Sequence, residues 1–198
     1  MRNDNRGGHR RNNRDKPDPL LTVEWCRVID HPETDAAIVV VTEPALHVIR
    51  LRPKPGAELQ MVGARIYMGT DHSQREVVQD VLGFARIRDL SNAANQEMPI
   101  VIQQVIEDSP EIFIQQFFNR AGNLSLKMHA FELLPGVGGK KAMEMVASRG
   151  RVGWDSFQQL NDDCNINAAE LLAKRFVSEI EDRSLQPRLL DLLLRQGE

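Results

Sequence analysis

The spacing of the apolar residues changes once along the chain, near Leu90, and that change limits the fold more than any other feature. Before it, the runs are short and β-branched: WCRVIDHP, AAIVVVTEP, ALHVIRLRPKPG, ARIYMG and a stretch centred on VLGFARIRDL, each stopped by Pro, Gly or Asp. After it, apolar residues recur at three and four positions, the spacing of one helix face. Strands followed by helices, rather than strands alternating with them, predict the α+β class.

Five strands in about 70 residues suit a small barrel of the OB type. The chain then divides into a basic tail (1–18), an OB-like β-barrel (19–90), connector helices (91–121), a helical hairpin domain (122–182) and a C-terminal helix (183–198). The tail has no aliphatic residue after Met1 and carries six Lys/Arg against three Asp. Such a segment buries too little apolar area to offset its ordering entropy and is expected to be disordered. Arg6-Gly7-Gly8 and Arg10-Arg11 resemble arms that hold nucleic acid loosely, and a merely solubilising tail fits the same composition.

Alternation along a strand sorts side chains onto two faces. It places Val48, Arg50 and Arg52 on one face of the third strand, with Lys54 beyond, and His47, Ile49 and Leu51 on the other. Arg65 and Tyr67 share a face of the fourth strand; Phe84, Arg86 and Arg88 share a face of the fifth. If these faces coincide, the barrel presents arginines interleaved with aromatics, the chemistry of base stacking along a backbone-tracking groove. The competing reading makes Tyr67 and Phe84 core and the arginines solvated.

Downstream, Ser91 is a candidate cap for SNAANQEMPIVIQQVIED, with Ile100, Val101, Val105 and Ile106 apolar, and Pro110 opens PEIFIQQFFNRAG. SLKMHAFELL carries a helical stripe at Leu126, Ala130, Leu133 and Leu134. The chain then turns through Pro135-Gly136-Val137-Gly138-Gly139 into a helix from Lys140, with Ala142, Met143 and Val146 on its apolar face. Glycines around Val137 remove Cβ atoms that would keep a phosphate from the backbone. The first amides of the helix carry partial positive charge, and Lys140 and Lys141 add full charges. Gly136, Val137, Gly138, Gly139, Lys140 and Lys141 are therefore the candidate phosphate-binding residues. A plain turn between packed helices is the alternative.

Leu134-Pro135-Gly136-Val137-Gly138 followed by Lys140 resembles the helix-hairpin-helix motif of DNA repair enzymes, ligases and several ribosome-associated proteins. That resemblance implies glycine amides holding a backbone phosphate. WDSFQQL at residues 154–160 and AAELLAKRFVSEI resemble the second half of the doubled motif, but Asn165-Ile166-Asn167 replaces its glycines and Asp162-Asp163 precedes them, so this half is expected to support the fold and hold phosphate poorly. Residues 22–182 as a whole resemble an uncharacterised archaeal family described as nucleic-acid-binding, with an OB-type barrel ahead of helix-hairpin-helix repeats. LRPKPGAEL, ARIYMG, MPIVIQQVIED and MHAFELLPGVGGKK carry that match; Gly139 stands where relatives often have lysine. The resemblance implies a role with RNA, rather than DNA, near the ribosome or the transcription machinery.

The net charge of −3 argues against a protein that coats nucleic acid indiscriminately, so any anion site must be local. Asp30-His31, Asp71-His72 and His129 with Glu132 are the acid-imidazole neighbours, and none has a nucleophile motif beside it. Cys26 and Cys164 lie apart with no metal-ligand spacing and read as reduced, buried thiols. No catalytic residue, metal or cofactor is expected, no apolar run reaches bilayer-spanning length, and the chain reads as cytoplasmic. A non-catalytic RNA-binding protein is the leading expectation. The alternatives are a DNA repair or replication accessory protein, and a protein-interaction module using the leucine-rich end PRLLDLLLRQ, although docking of that end on the chain's own core is favoured.

Overall fold

The computed structural model of the protein describes residues 19–33 and 37–194; the tail expected to be disordered lies outside the described residues. The fold is α+β, an antiparallel five-stranded sheet curled into a half-barrel and packed against helices. The strands are β1 (Trp25–Asp30), β2 (Ile38–Thr42), β3 (Val48–Pro53), β4 (Arg65–Tyr67) and β5 (Val78–Phe84), in the order β4-β1-β2-β3-β5. Five strands stand where the five β-branched runs lie, but among the described residues β4 and β5 are edges that do not pair with each other, so the sheet is curled rather than closed. β4 has only three residues, and the chain at Leu20–Val23 packs beside the open seam with Met68 and Val81.

Strand β2 is buried at every position because the sheet is covered on both sides. Ile38 and Val40 face an inner cluster with Cys26, Val28, Ile49, Leu51 and Ile66. Val39 and Val41 face a second cluster shared with the helices. A strand buried on both faces reads as a continuous apolar run, which is why IVVV shows no alternation.

Helix α1 (Asn92–Glu107) starts where its cap was expected: Ser91 Oγ accepts the Ala94 amide at 2.9 Å. The buried stripe is Ala94, Met98, Val101, Ile102, Val105 and Ile106, while Ile100 points outward. The helix runs through Pro99, so its first turns join the stripe. Residues 91–121 therefore do more than connect: α1 packs against β1 on one side and α5 (Ala168–Glu181) on the other. Helix α2 (Pro110–Ile112) continues as a π-helical turn, Phe113–Phe118, that buries Phe113, Ile114, Phe117 and Phe118.

The expected helix over 125–134 does not form. A β-hairpin, β6 (Asn123–Ser125) with β7 (Met128–His129), is followed by one 3-10 turn, Ala130–Leu133. Leu126, expected on the apolar stripe, is wholly exposed at the hairpin tip. The 3-10 turn is closed reciprocally: His129 Nδ1 accepts the Phe131 amide at 3.1 Å and Glu132 Oε1 accepts the His129 amide at 2.7 Å, a capping box. Helices α3 (Gly139–Arg149), α4 (Phe157–Cys164), α5 and α6 (Leu189–Leu193) complete the fold. Leu189 and Leu190 are buried, held by the fully buried Glu179 carboxylate, which accepts both their amides at 3.0 Å and the Arg175 Nε–H at 2.7 Å. The leucine-rich end thus docks on its own core.

Candidate nucleic-acid interface

Two hairpins face the question of phosphate binding, and they are built differently. In the first, Leu134 to Val137 form a β-turn in which Leu134 C=O accepts the Val137 amide at 3.1 Å. Gly136 takes φ +79°, and with Pro135 before it this is a type II turn, whose third position excludes most side chains. Val137 is buried and anchors the turn, while Gly136, Gly138, Gly139 and Lys140 are exposed. Gly138 caps α3 with φ −89° and ψ 174°, a conformation open to any residue, and a Cβ built there meets nothing within 4 Å. It therefore does not need the positive φ; only Gly136 does. Gly138 carbonyl accepts the Ala142 amide at 2.9 Å. The amides of Gly139, Lys140 and Lys141 have no acceptor among the described residues, which leaves three N–H groups at the positive end of an 11-residue helix. One feature opposes an anion: Glu132 Oε2 lies 3.5 Å from where a Cβ of Gly139 would stand.

The two lysines part company. Lys140 is exposed and has no partner among the described residues. Lys141 Nζ donates to the Cys164 carbonyl at the C-terminus of α4 and lies 3.9 Å from Glu144 Oε2. Its expected place in the phosphate set is thus compromised: it closes a helix end where cations are favoured and ties the two hairpins together. On α3 the buried residues are Ala142 and Met145, with Val146 partly buried, whereas Met143 is exposed.

In the second hairpin Asn165 ends α4 in the left-handed region, φ 49° and ψ 56°, the counterpart of Gly136. Asn tolerates that region better than other side chains. Here two of the first three helix amides, those of Ala168 and Glu170, are closed. Asn161 Oδ1 accepts the Ala168 amide at 2.8 Å, and Asn167 Oδ1 accepts the Glu170 amide at 3.2 Å. Asp163 Oδ2 accepts the Trp154 indole N–H at 3.1 Å, and no group of three or more metal-ligating side chains occurs among the described residues.

The sheet does not assemble the expected arginine face. Arg65 and Tyr67 lie on edge strand β4, and Arg50 and Arg52 three strands away on β3, about 14 Å along the sheet. Glu43 takes Arg27 at 2.7 Å and Arg65 at 2.8 Å, and Arg65 also lies over the Trp25 ring, 4.3 Å from its centre. Tyr67 packs edge-on against Trp25, its hydroxyl against Gly69, where a Cβ would stand 2.4 Å away. Arg52 pairs with Asp80 at 2.9 Å, and Lys54 Nζ donates to the Arg75 carbonyl. Arg86 and Arg88 leave the strand altogether. β5 ends at Phe84, and Ile87–Asp89 form a 3-10 turn that sends Ile87 into the helical core. Arg86 and Arg88 instead line a groove of about 1080 Å³ between the end of β5 and the α5–α6 corner.

The acid-imidazole neighbours are engaged in turns and caps. Asp30 accepts from Ser91 Oγ at 2.6 Å, His31 Nδ1 accepts the Gln60 amide at 2.9 Å, and Asp71 accepts from Ser73, which holds its carboxyl below the ordinary range. Burial lowers the pKa of His129, with Arg149 nearby acting in the same direction, so the ring stays neutral and keeps Nδ1 as an acceptor. Burial raises both cysteine thiols, Cys26 and Cys164. Residues the sequence did not single out include Asn119, which brackets Trp154 through N–H and C=O at 2.8 Å each, Asn161, and Arg75, which is buried against Gly69 O at 2.8 Å. Only the placement of an amide side chain before a helix start signals Asn161.

Residues 29–189 match the family described as "Protein of unknown function (DUF655)". The chain belongs to that family. Uncharacterized protein MJ0038 of Methanocaldococcus jannaschii is 25% identical over 130 residues, 66% of this chain; the chain spans 58% of the length of that relative. The crystal structure of Af1531 from Archaeoglobus fulgidus, itself assigned to DUF655, has a TM-score of 0.73 and 25% identity, covering 84% of this chain and 98% of that one. Both relatives are archaeal proteins. Among the described residues no helix is long and apolar enough to cross a membrane.

Proposed function

We propose that this DUF655 protein is a non-catalytic nucleic-acid-binding protein that grips the sugar-phosphate backbone through its first hairpin, with the half-barrel as an OB-like element and the hairpins as a degenerate helix-hairpin-helix pair. The observation that carries the reading is the set of three α3 amides without an acceptor among the described residues, beside exposed Lys140 and the bare Gly138. Backbone amides at a helix start receive a phosphate oxygen from any sequence, so this contact positions the ligand without reading bases. The preference for RNA over DNA, and the association with ribosome or transcription machinery, rest on the resemblance of residues 22–182 to an archaeal family described as nucleic-acid-binding.

Binding at several salt concentrations to single-stranded RNA, duplex RNA and DNA tests the reading. Lys140→Ala is expected to weaken all ligands alike and to reduce the slope of log affinity against log salt by about 0.7–0.9, one phosphate contact. Wild-type protein that binds none of the three, or a variant with unchanged affinity and slope, overturns it.

A further inference from the structure

We propose that the groove between the end of β5 and the α5–α6 corner is a stacking site for an unpaired base of single-stranded nucleic acid. This rests on the nucleic-acid reading above and adds to it the form of the ligand. The aromatic ring of the site is Phe84, one of the residues that line the groove. A register shift between Arg50 and Leu51, opposite Gly83 at φ +106°, interrupts the β3–β5 ladder just before it. Bulges of this kind re-aim the side chain that follows. Phe84 stands perpendicular to His47, 5.3 Å between ring centres, yet is 55% exposed. An aromatic ring fixed along one side and open on the rest is what a base needs for stacking.

The charges around it favour a polyanion. Arg86 and Arg183 line the groove with no acceptor among the described residues, and Arg88 has only its neighbour Asp89 at 3.7 Å. The acids are largely spoken for: Glu179 is buried and saturated by Arg175 and two amides, and Asp191 is held by Arg188 at 2.7 Å, which leaves Glu181. A duplex hides its base faces, whereas a single strand presents them, and every base has such a face. The groove sits at the C-terminal end of α5 and the hairpins at its N-terminal end. Fourteen residues of helix separate them by about 20 Å. A single strand of roughly 4–16 nucleotides, the usual range for such proteins, spans both.

The test uses fluorescence anisotropy with three probes: a U-rich RNA strand of roughly 12 nucleotides, the same strand with abasic positions, and a blunt RNA duplex. Phe84→Ala is expected to weaken binding of the intact strand roughly 5- to 100-fold while leaving the abasic strand and the duplex unchanged. Phe84→Trp retains binding, and Phe84→Leu, which keeps apolar bulk without a ring face, reproduces the alanine loss if the alanine variant folds poorly. Lys140→Ala weakens all three probes. If the Phe84 variants bind the intact strand like wild type, or lose all three probes equally, while Lys140→Ala still acts, the groove inference is wrong and the hairpin reading stands. Wild-type protein that binds no probe removes the hairpin reading and this inference together.

Discussion

The two hairpins share a plan and differ in what their helix starts offer. Both turn through a left-handed residue, Gly136 in one and Asn165 in the other, and both follow it with an apolar residue, Val137 or Ile166. At the next position the first hairpin has Gly138, with no side chain, and the second has Asn167, whose side chain closes an amide. Capping with Asn is worth a few tenths of a kcal/mol over Gly and more over Ala, so the second hairpin gains stability from what the first leaves open. The difference teaches that helix-start amides satisfy one partner at a time: a protein side chain that stabilises the fold, or an external anion.

Exchanging the caps gives the largest expected effect. Gly138→Asn, whose Cβ has open space within 4 Å, is expected to hold or slightly raise the thermal midpoint and to weaken RNA binding roughly 10-fold or more, by closing an amide that a phosphate would otherwise take with a charge-assisted bond. Calorimetry and anisotropy on one sample check the opposed signs; affinity unchanged with the cap in place breaks the comparison. Next is Asn161→Ala, which leaves the Ala168 amide without its acceptor and is expected to cost about 1–3 kcal/mol in urea unfolding while sparing RNA affinity. Lys141→Ala should then lose about 1 kcal/mol of stability through the Cys164 carbonyl, whereas Lys140→Ala alters the salt slope and not the midpoint. An equal stability effect of the two lysines contradicts the separate roles assigned to them.

The smallest effect is one of pH. The folded-state pKa of His129 lies below the ordinary 6.5, so the unfolded chain binds the proton more readily. The stability that neutral His129 contributes is complete above pH 6.5 and declines as pH falls below that value. His129→Asn supplies another capping acceptor and is expected to flatten that part of the thermal-midpoint profile between about pH 7.5 and 5. A profile equally steep with Asn at this position assigns the pH dependence elsewhere.

The strands, the Ser91 cap and the turn through Pro135–Gly139 were legible because each rests on residues close in sequence, whereas the assignment of the positive φ to Gly136 alone in that turn came from the structure. The 125–134 segment was not: its apolar spacing fits a helix, but Leu126 lies at the tip of a two-stranded hairpin and only Ala130–Leu133 turn helically. The arginine face failed for a different reason. Period two assigns a face to Arg65, Arg50 and Arg52, but the curl of the sheet and the choice of Glu43 as partner of both Arg27 and Arg65 depend on pairings 16 and 22 residues apart. The same limit hid the groove, since Phe84 and Arg183 come to line one groove only through the packing of α1 between β1 and α5. Asn165 and Asn167 were recognised as departures from glycine; that the second side chain, together with Asn161, closes the Ala168 and Glu170 amides of α5 required the fold.

Amide-resolved NMR titration with a short RNA strand tests the asymmetry between the hairpins most directly. The amides of Gly139, Lys140 and Lys141 are predicted to shift progressively and to gain exchange protection as RNA is added, while those of Ala168 and Glu170, already bonded to Asn161 and Asn167, stay where they are. Shifts of equal size at both helix starts, or none at Gly139–Lys141 while the RNA is bound, would contradict the account.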